Sequence, residues 1–490
     1  MSVGARGRFP WLAVAAILAL DAAALSHRAG RTWIGDHDWN GAAWSTAARN
    51  ILRRPLSETH AGVALAHGSR PLEREDFYVH HPPLVVWLMS GAYAALGESE
   101  AVGRSVPVVF SLASAALVAG IAFRIGGRTA AWLAPAIFTS FAANLYYGRM
   151  PNHEPVAQTW MLAATLAFLH WRDGPTPGKA LAAAPWLVAG CWSGWPGYLF
   201  AAASGLVSLR DRGRSWLFVV GLASTATLIA FFAHIRLVRA DAIGDLLAAF
   251  GLRSGTVTLA GWYGSIDGAI DRLIAPGGLA AALAASVFAF SRFGDRALVP
   301  LLAAGIGNVV LFRQGAFVHE YYCYYLAAPL SLAAALGVAR LTTVASAGGW
   351  WFALLVLALA TRGGREALRL HEKQSNLYAT GRAENEDFVE RLGAAIAAEF
   401  PPDAVILTDA LPIGEHLGYY ADRRIVYLSE LPAERRKDWI KRATGAVLLD
   451  GSAGGEEVLK AAQSEGGKVV SGGGWTGVGP YRIRFARFAP

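Results

Sequence analysis

Gly148-Arg-Met-Pro-Asn-His-Glu-Pro155 joins two apolar runs, residues 129–147 and 155–171, and its reading decides the fold. Each run approaches the roughly 20 apolar residues that a helix needs to cross a bilayer. The turn between them holds Arg149, His153 and Glu154. In so apolar a setting such groups stay polar only where they face water or a polar ligand. Tyr78-Val-His-His-Pro-Pro-Leu84 repeats the arrangement at the mouth of another apolar segment. Working outward, further apolar runs lie near 10–26, 105–123, 180–192, 195–209, 216–235, 276–291, 297–312, 322–339 and 348–361. The expected fold is mostly α: a polytopic membrane protein with about 11 transmembrane helices and a small C-terminal extracytoplasmic α/β domain. The 180–209 region is expected to break around Ser193-Gly-Trp-Pro-Gly197.

Composition agrees. Of 490 residues, 54% are hydrophobic and 16% charged, against about 25% charged in soluble domains. The formal charge of +8 does not point to nucleic acid, because most arginines sit in short loops between apolar runs. Arg6/Arg8, Arg124/Arg128, Arg172/Lys179, Arg210/Arg212/Arg214, Arg292/Arg296 and Arg340 all fall on one side of an eleven-span count. Lysine and arginine collect on the cytoplasmic side, so the N-terminus is expected inside and the C-terminus outside. The run after Arg8 is read as a retained first helix rather than a cleaved leader. The Arg/Ala/Gly-rich composition points to a bacterial inner membrane. Cys191 and Cys323 both lie in apolar segments, which argues against a disulfide framework.

The expected division is a transmembrane part, 1–363, and an extracytoplasmic part, 364–490. Within the first, residues 27–104 form a long outside loop with amphipathic stretches, and 84–97 is too short to span. A second outside loop, 236–275, carries Arg236, Arg239, Arg253 and Arg272. In the tail, a helix over 384–399 precedes short strands at 404–407, 425–428 and 446–449. Residues 481–485 alternate as an edge strand would. Gly472-Gly-Gly474 lacks the lysine and helix of a phosphate loop.

Four patches carry chemistry. Gly35-Asp-His-Asp-Trp-Asn-Gly41 offers Asp36 and Asp38 around a histidine, followed by a helix ending Ala48-Arg-Asn50. A carboxylate there suits a general base, while the bland alternative is that Asp38 caps the helix. His80 and His81 stand before Pro82-Pro83, which pre-set the next helix; adjacent side chains in an extended segment face opposite ways. Arg149, Asn152, His153 and Glu154 form the third patch, otherwise a short capped turn. Arg313 and His319-Glu320-Tyr321-Tyr322 form the fourth. Aromatics at that depth anchor many spans, but arginine and histidine beside them suit a lipid phosphate. All four fall on the outer side of the count. Asp36, Asp38, His80, His81, His153 and Glu154 include zinc and manganese ligand types without a recognisable helical pair spacing; no metal is expected, and a divalent ion stays open.

In this order the patches resemble the GT-C membrane glycosyltransferases, in particular the bacterial protein O-mannosyltransferase-like family that includes the lipid A aminoarabinose transferase. The resemblance rests on Asp38 with Ala48-Arg49-Asn50, His81-Pro82-Pro83-Leu84, Arg149 to Glu154-Pro155, and His319-Glu320-Tyr321-Tyr322, over roughly residues 8–340. It implies inverting transfer of a sugar from a polyprenyl-phosphate donor to a hydroxyl on a protein, lipid or glycan acceptor outside the cytoplasm. Asp38 would then be the base, with Asp36 open as its alternative, and Glu154 a second acid. His81, Arg149 and His319 would stabilise the departing lipid phosphate. A transporter or flippase of a lipid-linked substrate is the second reading, carried by the number of spans and the broken segment at 193–197.

Overall fold

The structure is a computed structural model and describes residues 8–211, 213–291, 294–341, 349–373, 388–408, 414–449, 453–464, 469–472, 476–478 and 481–488. Arg6, Arg212, Arg292, the 409–412 turn after Thr408 and residues 473–474 lie outside the described residues. The described chain is mostly helical. Contacts divide it into two compact units: Met1–Ala29, Val79–Leu88 and Arg104–His371 form one, and Gly30–Tyr78, Met89–Gly103 and Glu372–Pro490 the other. This differs from a single cut at residue 363, since most of the first loop shares a unit with the tail.

The first unit is helical. Two expected runs, 105–123 and 129–147, fall largely on the 41-residue helix Glu100–Ser140, which is broken at Gly127 with φ 77°. That left-handed value is natural only for glycine, and it lies between Arg124 and Arg128. A π-helical turn, Ala143–Tyr147, then leads to Arg149. By length and composition three helices among the described residues are able to cross a membrane: Glu100–Ser140, Arg214–Val238 and Glu320–Leu341. Leu259–Leu273 and Gly278–Phe290 add a fourth if the pair, bent by 78°, is one broken span. Of the other apolar runs, those at 10–26 and 297–312 form the shorter helices Trp11–Leu25 and Arg296–Leu311, whereas 155–171 falls on His153–Arg172 (20 residues) and 348–361 on Gly349–Glu372 (24 residues).

The break near 193–197 is present: Ala184–Ser193 ends at Gly194, and Trp195–Arg210 begins with Pro196 in its first turn. A Cβ on Gly197 would lie 2.3 Å from the Gly190 carbonyl oxygen, so glycine lets these helices touch. The 236–275 loop folds into the helices Ala242–Gly255 and Leu259–Leu273, which its glycines hid from periodicity. Asp21, 3% exposed in the first helix, accepts a hydrogen bond from Asn144 at 2.8 Å. That contact serves Oδ1 of a carboxylate that is costly to bury, while Oδ2 has no hydrogen-bond partner among the described residues.

The second unit contains a two-stranded ribbon, β1 (Val63–Ala64) and β2 (Phe77–Tyr78), and a larger sheet. The sheet comprises β3 (Val405–Thr408), β4 (Arg424–Tyr427), β5 (Gly445–Leu449), β6 (Val469–Gly472), β7 (Thr476–Val478) and β8 (Tyr481–Phe488). Its order is β4-β3-β5-β8-β6, with β7 also on β8. The β3–β4 and β3–β5 pairs are parallel, and β8 runs antiparallel to β5, β6 and β7. The expectation of an edge strand at 481–485 is therefore corrected: β8 is interior. Alternation reports the faces of a strand, not how many neighbours it has. Ile406 faces Phe388, Leu392 and Ile396, whereas Val405 and Leu407 face Trp439 and Leu448, as period-two geometry requires. The helix Trp39–Arg53 is buried continuously from Asn40 to Asn50. Its Arg49 binds Glu98 at 2.5 Å and Asp422 at 3.3 Å, lies over the Tyr419 ring, and donates to the Tyr419 carbonyl.

Candidate active site

In the first unit the two patches at 78–84 and 148–155 meet. His81 and His153 stack with centroids 4.5 Å apart and planes 20° from parallel. Pro82-Pro83 and the helix Leu84–Leu96 set the first ring, and the first turn of His153–Arg172 sets the second. The Ser193 carbonyl accepts from His153 Nδ1 at 2.9 Å, which leaves Nε2 with the lone pair. Arg253 Nη1 lies 3.0 Å from His81 Nε2. A guanidinium only donates, so His81 accepts there and is the neutral ring. Burial, then the neighbouring His153, Arg253 and His80, hold the His81 pKa well below its usual value. His80 lies in the bend before Pro82, with its Nε2 3.3 Å from Asp245. Its pKa is also lowered, first by burial and then by Arg253, against Asp245, which opposes the shift. Asp245 also pairs with Arg239, and the His80 carbonyl accepts from Trp195 Nε1 at 3.0 Å.

Glu154, one residue along from His153, is 6% exposed, and its Oε2 meets no hydrogen-bond donor among the described residues. A buried carboxylate oxygen left this way is costly. Arg149 does not serve it: its guanidinium donates to the carbonyls of His27 and Arg28, beyond the end of the helix Trp11–Leu25. Asn152, 3% exposed, is the N-cap residue of His153–Arg172 but makes no side-chain cap bond.

The fourth patch lies in the same unit. Tyr147 donates to Glu320 at 2.6 Å, and Arg272 pairs with Glu320 at 2.8 Å. His319 stacks on Tyr321 at 5.1 Å and on Tyr322 at 6.0 Å. Ser111 donates to the Gly148 carbonyl at 2.6 Å and lies 3.3 Å from the Tyr324 hydroxyl, bracing the arginine turn against the tyrosine segment. Arg313 starts the short helix Arg313–Val318 and makes no ion pair among the described residues.

Asp36 and Asp38 lie in the second unit. Asp36 is 2% exposed and pairs with Lys373 at 2.9 Å. Asp38 stands at the N-cap position of Trp39–Arg53, but its carboxylate accepts from the Gly35 amide at 2.8 Å and makes no cap bond to the helix. The capping reading is therefore corrected. His37 between them has φ 58°, a left-handed turn that separates the two aspartates. Sequence reading gave Arg253 and Arg272 no role and passed over Asp245 and Lys373. Both arginines lie in the 236–275 segment, whereas nothing in the sequence links Lys373 to Asp36. Among the described residues no group of three or more His, Cys, Asp or Glu side chains is placed to hold a metal.

The architecture is that of the GT-C membrane glycosyltransferases. In particular, the chain is similar to ArnT from Cupriavidus metallidurans, solved bound to undecaprenyl phosphate, over 97% of both chains, at 13% identity and a TM-score of 0.64. It is similar to the Archaeoglobus fulgidus oligosaccharyltransferase, solved with Zn and sulfate, over 88% of this chain and 67% of that one, at 13% identity and 0.53. Arabinofuranosyltransferase AftD from Mycobacteria shares the fold across 99% of this chain and 40% of its own, at 13% identity and 0.54. No family model and no curated protein sequence matches the chain.

Proposed function

We propose that the protein is an inverting glycosyltransferase that moves a sugar from a polyprenyl-phosphate donor to a hydroxyl acceptor on the outer face of the membrane. The observation that carries this reading is the buried Glu154 carboxylate with its Oε2 left without a donor among the described residues, one residue from the stacked His81–His153 pair on a GT-C fold. In the reaction the acceptor oxygen attacks the anomeric carbon from the face opposite the phosphate. A carboxylate takes the hydroxyl proton, the sugar–phosphate bond breaks, and polyprenyl phosphate leaves as an anion. Asp38 is our base, because Asp36 is already held by Lys373. Glu154 orients the acceptor or the sugar. His81, Arg149 and His319 face the growing phosphate charge, with Arg253 added through its contact to His81. Neutral His81 offers a hydrogen-bond donor rather than a fixed charge, so the arginines supply the cationic field. This reading includes about eleven spans, a cytoplasmic N-terminus and a bacterial inner membrane.

The test uses purified protein in nanodiscs with a panel of radiolabelled polyprenyl-phosphate sugars and membrane extract as acceptor source. Release of polyprenyl phosphate by wild type, lost in Asp38→Asn and Glu154→Gln and unaffected by a chelator, is the expected result. Donor binding without cleavage in every condition would overturn the transferase in favour of a lipid transporter, which the 78° bend between Leu259–Leu273 and Gly278–Phe290 also accommodates.

A further inference from the structure

The helix Gly349–Glu372 changes character along one face. Leu354, then Leu357 and Ala358, then Thr361 and Arg362, then Arg365 and Arg369 recur turn by turn at three- and four-residue spacing, so they share a stripe that turns from apolar to cationic. With Arg272 and Glu366 they line a cavity of about 700 Å³ in the first unit, within the range of small-ligand sites. Four arginines and one carboxylate line it, and with Asp271 and Glu320, which pair with two of the arginines, a net excess of one cation remains. Three of the four are already held from the protein side: Arg362 by Asp271 at 2.6 Å, Arg272 by Glu320 at 2.8 Å, and Arg369 by Glu366 at 2.6 Å. These bonds fix their guanidinium planes and leave further donors on each. Arg365 is exposed and makes no ion pair among the described residues. Below it Leu354 is 54% and Leu357 62% exposed, apolar area that the described residues leave uncovered. Leu357 and Arg365 are eight residues apart, about 12 Å along the helix.

We propose that this cavity binds the anionic headgroup of a membrane phospholipid, its phosphate among Arg362, Arg365 and Arg369 and its acyl chain along Leu354 and Leu357. Arginine gives the strongest charge-assisted bonds to phosphate oxygens, and the leucine stripe continues where a tail must run. A purely solvated charged face would need no exposed leucines at its foot, and a purely lipid-facing helix would not carry three arginines on the same stripe. The site holds none of the residues assigned above to the transfer chemistry, apart from Arg272 reaching Glu320, and it stands whether or not the protein is a transferase.

The full chain, delipidated in detergent, is titrated with phosphatidylglycerol, phosphatidylcholine or inorganic phosphate and read by native mass spectrometry. Wild type should retain one phosphatidylglycerol at concentrations where phosphatidylcholine is not retained. Arg365→Gln with Arg369→Gln should weaken it at least about tenfold, since each cation near an anionic headgroup contributes roughly fivefold. Leu357→Ser should weaken phosphatidylglycerol and leave any phosphate binding unchanged. Arg365→Gln alone, at an exposed position without an ion pair, guards against a folding defect in the double variant. Equal retention by the variants, equal retention of phosphatidylcholine, or displacement of phosphatidylglycerol by equimolar inorganic phosphate would each overturn the proposal.

Discussion

The two aspartates of the first loop look interchangeable in the sequence, yet their partners assign them different work. Asp36 is buried against Lys373, and charge-assisted bonds of this kind contribute about 1.5–3 kcal/mol. Asp36→Asn should therefore lower the thermal midpoint, and Asp36→Asn with Lys373→Met should recover part of the loss; a cycle with no coupling would remove the structural role. Asp38→Asn keeps an oxygen for the Gly35 amide, so the midpoint should hold while donor turnover falls about 10²–10⁴-fold. His81 gives a pH signature. Its folded pKa is depressed, chiefly by burial, so below the ordinary value of about 6.5 the unfolded chain takes up a proton that the folded ring resists. Stability should fall as pH drops through that value toward the folded one, and His81→Gln should flatten the slope measured between pH 7 and pH 5.

At the scale of elements, backbone freedom decides where long apolar stretches divide. Gly127 holds φ 77° and ψ −160°, a region open essentially to glycine alone, so Gly127→Ala meets no clash within 4 Å but carries a backbone penalty of roughly 1–3 kcal/mol. Gly197→Ala is different: its methyl would strike the Gly190 backbone, and overpacking of this sort costs typically 1–3 kcal/mol. Urea or thermal midpoints should therefore fall for both variants, and an unchanged midpoint in Gly197→Ala would mean that the contact yields. The same physics explains what was legible. Apolar runs, the Ser193–Gly197 break and strands β3, β4 and β5 announce themselves through local pattern, to within a residue or so. The helices of 236–275 did not, because glycine dilutes their periodicity, and the interior place of β8 did not, because pairing on both edges leaves no mark within one strand. At the site, the histidine turns and Glu154 were readable as polar groups misplaced in apolar sequence. Their partners Arg253, Asp245 and Lys373 were not, since each arrives from a distant part of the chain.

For the whole molecule the strongest argument is the conflict between surface and water. On Arg214–Val238 only 33% of the apolar window is buried, and Leu222, Ile229 and Leu237 are each more than half exposed. Hydrocarbon resolves that exposure and water does not, since soluble monomers rarely present apolar surface on this scale. The orientation proposed above rests on the arginines: Arg172, Lys179 and Arg210 flank short connections, and basic residues collect on the cytoplasmic side. Ser69 and Ala182 are both exposed and fall on opposite sides of that assignment. The chain's two cysteines, Cys191 and Cys323, are buried and free, so replacing them leaves a silent background for single thiols. In intact spheroplasts a membrane-impermeant maleimide should label Ser69→Cys at once, and Ala182→Cys only after permeabilisation. Labelling of Ala182→Cys from outside would invert the topology and move the histidine turns to the cytoplasmic face, where a donor presented on the outer leaflet has no access to them.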